Sequence, residues 1–301
     1  VKNKSIVGVE TEKGKIDCQY VVLATGMWSR QIGEKMNVSI PLYPNEHFYV
    51  ITEPMKDLPT NLPVLRDYNN CLYLKEDAGK MLVGIFEPNA KPAFKDTGIV
   101  PENFSFGELP DDFDHFEPYL KKSFHRLPML ENAGIRKFFS GPESFTPDTQ
   151  YLLGETPEIK NFFTCCGFNS IGIASSGGAG RVTAEWMING HINEDLFSVD
   201  IKRFQQFHSS KKFIMERVTE TLGDLYGMHW PYKQHKTSRN QITLPYHEEL
   251  KKLGACFGSS GGFERPMWYS LNGAKAEYEY SFGYQNWYPS AEYETKNTRK
   301  N

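Results

Sequence analysis

No Gly-x-Gly-x-x-Gly string occurs in the 301 residues, so the dinucleotide-binding fingerprint is not written in this chain. No apolar run approaches the length of a membrane span, and no stretch has the layout of a signal peptide. A basic excess is lacking too: the formal net charge is -3 and the pI about 6.3, which argues against nucleic acid as a partner. Cysteines number five, an odd count, with no Cys-x-x-Cys pair and no His/Cys spacing suited to a metal. Cys18, Cys71, Cys165, Cys166 and Cys256 therefore read as small hydrophobes in a reducing compartment, with the adjacent Cys165 and Cys166 filling a strand. No metal, nucleic-acid or membrane partner is expected.

Aromatic residues are abundant, with 21 Phe, 16 Tyr and 5 Trp, which suits ring-lined pockets and ordinary cores alike. The length allows more than one core. The chain opens on Val1 inside a strand pattern, so it reads as an internal fragment of a longer protein.

The most informative stretch is CCGFNSIGIASSGGAGRVTAEWMING, from Cys165 to Gly190. A short apolar run leads into a bend rich in glycine and serine. Val182, Trp186 and Met187 then recur at helical spacing, and Asn189-Gly190 supplies a stop. A glycine-rich helix start exposes backbone N–H groups and the positive end of the helix dipole, and lets a flat or anionic ligand come close. A tight packing turn with no ligand has the same composition.

Ser5 to Val9 alternates like a strand, and Ile16 to Ala24 reads as a second one; Trp28 to Met36 is amphipathic enough for a helix. The strand HFYVIT places His47, Tyr49 and Ile51 on one face and Phe48, Val50 and Thr52 on the other. A lone strand histidine is ordinarily a satisfied structural group. Val64 to Phe86 predicts two or three antiparallel strands turning at Asp77-Ala78-Gly79, with Tyr73 a cross-strand aromatic. Arg66, the nearest cation that might meet a carboxylate, reads as a surface residue. Residues 89–113 form a loop crossing, Phe113 to Leu130 a helix, and Ile135 to Phe145 a strand; Thr146-Pro147-Asp148 is a turn, where Asp148 serves as turn former rather than buried carboxylate. A helix is expected from Ser209 to Tyr226. Residues 227–240 look like a linker or extended arm, and the last sixty or so residues are expected to be loosely ordered.

Three strings carry a family resemblance: GFNSIGIASSGGAGRVTAEWMINGH, the preceding GPESFTPDTQYLLGETPEIKNFF, and VVLATGMWSRQIG. They resemble the D-amino-acid-oxidase-like FAD oxidoreductases, and within them the dimethylglycine and sarcosine dehydrogenase group. The likeness covers nearly the whole chain, in the same order. It implies an α+β fold: a partial FAD-binding, glutathione-reductase-like domain with an antiparallel substrate-binding sheet, followed by a small mixed domain. The implied division is 1–192 for the C-terminal part of the oxidoreductase domain, 193–248 for a connecting domain, and 249–301 for the truncated start of a folate-binding, glycine-cleavage T-protein-like domain.

The resemblance places FAD against Gly26 and Trp28 and against the glycine segment at Gly172, Ile173, Ala174, Ser175, Gly177 and Gly178. Trp28 is equally suited to a core role at a helix start. His47 and Tyr73 match a histidine facing the flavin and a tyrosine lining the pocket, so both become catalytic candidates. The implied reaction is oxidative demethylation of an N-methylated amino acid, dimethylglycine and sarcosine both remaining open. Hydride passes from the N-methyl carbon to the flavin, and tetrahydrofolate in the missing C-terminal domain takes the one-carbon unit. The amine must be neutral before hydride leaves, and an unperturbed histidine titrates near pH 6.5, which suits His47 to control that proton. Oxygen and an electron-transfer flavoprotein are both open as acceptors, and bacterial cytoplasm and mitochondrial matrix as compartments. The implied FAD-pyrophosphate loop, and the histidine that attaches FAD covalently in many members, fall N-terminal to this chain, so alone it is expected to bind FAD poorly and to be inactive. A non-catalytic alternative exists in the same lineage, a scaffold related to the pyruvate dehydrogenase phosphatase regulatory subunit. An oxidase of ordinary D-amino acids is disfavoured by the folate-domain junction near ELKKLGACFGSSGGFERPMWYS.

Overall fold

A computed structural model describes residues 1–271 and 273–300. The chain divides into two compact units, Val1–Gly227 and Met228–Asn301.

The first unit opens with a hairpin, β1 (Gly8–Thr11) and β2 (Gly14–Asp17), and a short strand β3 (Val21–Leu23). The single strand expected over Ile16 to Ala24 is broken at Cys18–Tyr20, because its halves serve different sheets. β2 pairs antiparallel with β1, whereas β3 pairs parallel with a strand over 140 residues later. A 3-10 turn at Gly26–Trp28 leads into α1 (Ser29–Lys35).

Next comes a five-stranded sheet. Its strands are β4 (Tyr43–Thr52), β5 (Leu65–Asp67), β6 (Leu72–Asp77) and β7 (Lys80–Ile85), with β8 (Ile135–Phe145) completing it after α2 (Phe113–Arg126). The five strands lie in the order β5-β6-β7-β4-β8, all antiparallel. Ala78 and Gly79, at φ 51° and 76°, make the β6–β7 turn where the Asp77-Ala78-Gly79 signal places it. Strand alternation sends Phe48, Val50, Leu72, Leu74, Val83 and Ile85 to one face, where Phe116 and Leu120 of α2 close an apolar core. Asp112 caps α2 by accepting from the His115 N–H at 3.0 Å. The helix stops at Arg126, short of the expected Leu130, because Leu127 precedes Pro128 and is driven out of helical geometry.

A second, three-stranded sheet is formed by β3, β9 (Leu152–Glu155) and β10 (Phe162–Cys166), in the order β3-β10-β9. The helix α3 (Gly172–Asn189) follows and ends on Gly190 at φ 75°. α4 (Lys211–Asp224) packs Phe213, Ile214, Val218 and Leu222 against Tyr43 and Phe145 of the large sheet and against Phe86, which follows β7. The buried Asn45 side chain donates to the Val218 carbonyl, 2.6 Å away, and pins the helix to β4.

The second unit contains α5 (His247–Lys252), a sheet of β11 (Ile242–Thr243), β12 (Ala255–Ser260) and β13 (Phe263–Tyr269), and α6 (Tyr288–Thr298). Residues 227–240 carry no helix or strand, as an arm would. The arm of residues 227–240 is anchored, because Arg239 Nε donates to the buried Glu264 carboxylate on β13 at 2.7 Å. The terminal residues have their own buried members, Ala255, Cys256 and Trp268, rather than forming a loose tail.

Candidate functional site

The face of the five-stranded sheet away from α2, part of which α4 covers, carries one continuous row. Direct cross-strand partners run Arg66, Tyr73, Gly84, Tyr49 and Phe139 over all five strands. Gly84 is what makes this row work. A Cβ there would lie 2.1 Å from the Tyr73 ring, so only glycine lets the phenol lie flat across β7. Laid across β7, the Tyr73 hydroxyl reaches His47 on β4, whose Nε2 stands 3.0 Å from it with the two rings nearly parallel at 4°. Phe86 closes on both rings, at 4.8 Å from His47 and 5.5 Å from Tyr73. Burial, with the charges of Glu143 and its neighbours adding to it, pushes the Tyr73 phenol far above its ordinary value, so it stays a neutral hydroxyl.

The other ring nitrogen of His47, Nδ1, is buried and has no hydrogen-bond partner among the described residues. Glu143 on β8 faces it, with Oε2 at 3.9 Å. The same carboxylate oxygen accepts from the Ser170 hydroxyl, 2.5 Å away. The pair His47–Glu143 lines a cavity of about 490 Å³, together with Tyr49, Phe139 and, from the first helical turn, Trp28. Tyr73 is outside this lining and touches the cavity through His47. Arg66 is outside it as well, with its guanidinium over the Tyr226 ring at 6.0 Å.

Trp28 stands between two cavities. Its indole N–H donates to the Pro101 carbonyl at 3.0 Å, and its ring lines a second cavity of about 710 Å³ with Thr25, Gly26 and Gln31. Gly26 has φ 56°, so a side chain there would be strained.

The glycine segment is placed differently from the expected bend. The turn itself is made by Gly167, Asn169 and Ser170, all at positive φ, and Gly172, Ile173, Ala174, Ser175, Gly177 and Gly178 already belong to α3. The reason is local. The Asn169 side chain donates to the Gly167 carbonyl at 2.6 Å and accepts from the Thr146 N–H at 2.9 Å, closing the turn early. Three properties of the helix start suit a flat, anionic group such as FAD. Among the described residues no side chain caps its first N–H groups. A Cβ on Gly177, Gly178 or Gly180 would meet nothing among the described residues within 4 Å. Ile173 is 98% exposed, an apolar side chain left bare. Each interior glycine costs a helix about 1 kcal/mol relative to alanine, and neither φ nor packing within the described residues asks for these three.

Sequence reasoning missed Glu143, Ser170 and Asn169. They stand in the quoted strings GPESFTPD and GFNS, but only the crossing of β8 with the turn before α3 brings the strings together. Asp148 serves the same junction, accepting from Arg203 Nε at 2.8 Å. The five cysteines are free, and burial pushes the Cys166 thiol up to about 12, consistent with packing rather than redox chemistry. Among the described residues no group of three or more His, Cys, Asp or Glu is placed to hold a metal, and no helix is long and apolar enough to cross a membrane.

An FAD dependent oxidoreductase domain model matches residues 1–186, and the FAD dependent oxidoreductase central domain matches residues 189–243. The chain belongs to the FAD-dependent oxidoreductase family. It is 40% identical over 295 residues to the 4-methylaminobutanoate oxidase (formaldehyde-forming) of Paenarthrobacter nicotinovorans, covering 98% of this chain and 35% of that protein. It is 37% identical to the mitochondrial pyruvate dehydrogenase phosphatase regulatory subunit of Mus musculus, covering 89% and 31%. It is 35% identical to mouse mitochondrial sarcosine dehydrogenase, covering 94% and 31%, and dimethylglycine dehydrogenases are further relatives. The chain thus spans about a third of these relatives' length. Among solved structures, L-proline dehydrogenase from P. horikoshii superposes with a TM-score of 0.55 at 25% identity, over 66% of this chain and 50% of that one. The architecture is a partial fold of the FAD-dependent amino-acid oxidases, with the mixed α/β layers and antiparallel sheets that the resemblance implies.

Proposed function

We propose that this chain is the substrate-side part of an FAD-dependent oxidoreductase that removes a methyl group from an N-methylated amino acid. The observation that carries the reading is the 3.0 Å bond between His47 Nε2 and the Tyr73 hydroxyl beside the cavity that Trp28 shares. FAD is held, on this reading, by Gly26, Trp28 and the open start of α3 from Gly172 through Ile173, Ala174 and Ser175 to Gly177 and Gly178. When bound, the flavin accepts the hydride. The protein's own task is the amine proton. A protonated nitrogen has no lone pair to support hydride loss, so that proton must leave first. His47, which lines the cavity, takes it at Nε2, while Tyr73, buried and neutral behind it, donates to Nε2 beforehand and accepts from Nε2–H afterwards. Aromatic walls from Trp28, Tyr49 and Phe139 exclude water and favour a methylated cation. Capture of the released one-carbon unit by tetrahydrofolate, and electron delivery to an electron-transfer flavoprotein, are the further steps of this proposal.

The similarity to a phosphatase regulatory subunit supports a second reading, a non-catalytic FAD-fold scaffold. The His47–Tyr73 relay favours the enzyme, since a scaffold needs no proton path. Anaerobic addition of sarcosine, dimethylglycine and 4-methylaminobutanoate to the full flavin-loaded protein separates the two. Bleaching of the flavin absorbance by any of them, lost in His47→Ala, supports the enzyme. A flavin that none of them reduces favours the scaffold.

A further inference from the structure

We infer that Glu143 is a positioning residue that holds the His47 proton on Nδ1, so that Nε2 keeps its lone pair for the incoming proton. The inference rests on the proposed amine oxidation and names a third member of its relay. A His47 ring nitrogen buried without a hydrogen bond is costly, and a buried polar atom of that kind ordinarily has a partner. Glu143 Oε2, at 3.9 Å, is the carboxylate oxygen that faces it. A movement of about 1 Å brings the pair to the usual N–H···O distance. Both side chains are anchored for it. His47 is held by Tyr73 and Phe86, and Glu143 by the Ser170 hydroxyl. His47 and Glu143 project from neighbouring strands, with His47 directly opposite Gly141. A side chain at 141 would have to share the space of the Phe139 ring, 2.6 Å from an added Cβ.

The arrangement fixes the roles of all three groups. With Nδ1–H facing the carboxylate, Nε2 carries the lone pair, and the Tyr73 hydroxyl must be the donor in their bond. When substrate arrives in the cavity that His47 lines, its ammonium N–H bond breaks as a bond to Nε2 forms, and the Tyr73 hydroxyl turns from donor to Nε2 into acceptor of the new Nε2–H. The amine becomes neutral, Tyr73 remains a phenol, and the imidazolium sits beside the Glu143 charge. Ser170 lies two residues before Gly172, so the carboxylate also ties the proton relay to the start of the helix proposed for the flavin.

The test uses the full flavin-loaded protein labelled with ¹⁵N-histidine, with the His47 signals identified by their loss in His47→Gln. In the parent protein the imidazole shifts are expected to show a protonated Nδ1 and an unprotonated Nε2. Glu143→Gln retains an acceptor but no charge; it should keep that tautomer and slow anaerobic flavin reduction by roughly tenfold. Glu143→Leu removes both; it should shift His47 towards the Nε2–H tautomer and slow reduction on the order of 100-fold, with the amine's Kd little changed. An unchanged tautomer and unchanged rate in both variants overturns the inference. So does an effect confined to Kd, which would make Glu143 an ammonium-binding group instead. If no amine reduces the parent flavin while the tautomer still follows residue 143, the inference stands and the demethylation reading falls.

Discussion

The two faces of the five-stranded sheet are built from the same strands and do opposite things. On the face under α2, Phe48, Leu72, Val83 and Ile85 are sealed, each at 0% exposure, and shape complementarity is the whole requirement. On the other face the same alternation delivers His47, Tyr73, Tyr49 and Glu143, with Gly84 and Gly141 between them as spaces. One face gains stability from volume filled. The other gains chemistry from volume withheld, since a methyl group at either glycine would collide with the ring that must lie there. The comparison shows how one strand pattern carries both loads without conflict: neighbouring residues point to opposite sides.

The contrast can be broken most sharply from the site side. Tyr73→Phe removes the partner of His47 Nε2 and should slow anaerobic flavin reduction in the full protein by roughly 10²-fold, the lower end of the range for acid–base groups, while urea unfolding changes by about 1 kcal/mol or less. Stopped-flow absorbance and denaturation curves read the two effects separately. Phe48→Ala, one residue along β4 from His47, should do the reverse. It empties a fully buried site and costs about 3–5 kcal/mol in urea unfolding, with the reduction rate per bound flavin retained. Gly84→Ala tests the boundary between the faces. An added methyl 2.1 Å from the Tyr73 ring should cost about 1–3 kcal/mol and also displace the phenol from His47, so both readouts move together.

The smallest expected effect sharpens the comparison at a second place. Gly177→Ala meets open space and lies inside α3, so thermal unfolding without FAD should show a gain of about 0.4–1 kcal/mol. FAD affinity of the full protein should fall in the same variant if the bare helix face is there to be approached. A stabilised helix with undiminished FAD affinity would move the flavin contact away from Gly177.

Much of this was legible in the residues themselves. The alternation of HFYVIT, the Ala78-Gly79 turn, the strand Ile135 to Phe145 and the Gly190 stop are local patterns, and each sits where its pattern places it. Local patterns failed where distant partners competed for the chain. The run from Ile16 to Ala24 looks like one strand, yet it is split between two sheets. The glycine segment looks like a bend, yet Asn169 and Thr146 close the turn before it begins.

For the site the division is sharper. The sequence by itself determined which side chains share a strand face, because the backbone's two-residue period decides that without reference to the rest of the molecule. It also carried the family, through strings long enough to be specific. Only the tertiary structure decided that Tyr73 reaches across a glycine to His47, and that Glu143 and Ser170 meet on the far side of the same imidazole. Those meetings depend on strand order and register between residues up to 123 positions apart, as His47 and Ser170 are. Long-range pairing of that kind follows from how whole faces pack, and no short stretch of sequence contains it.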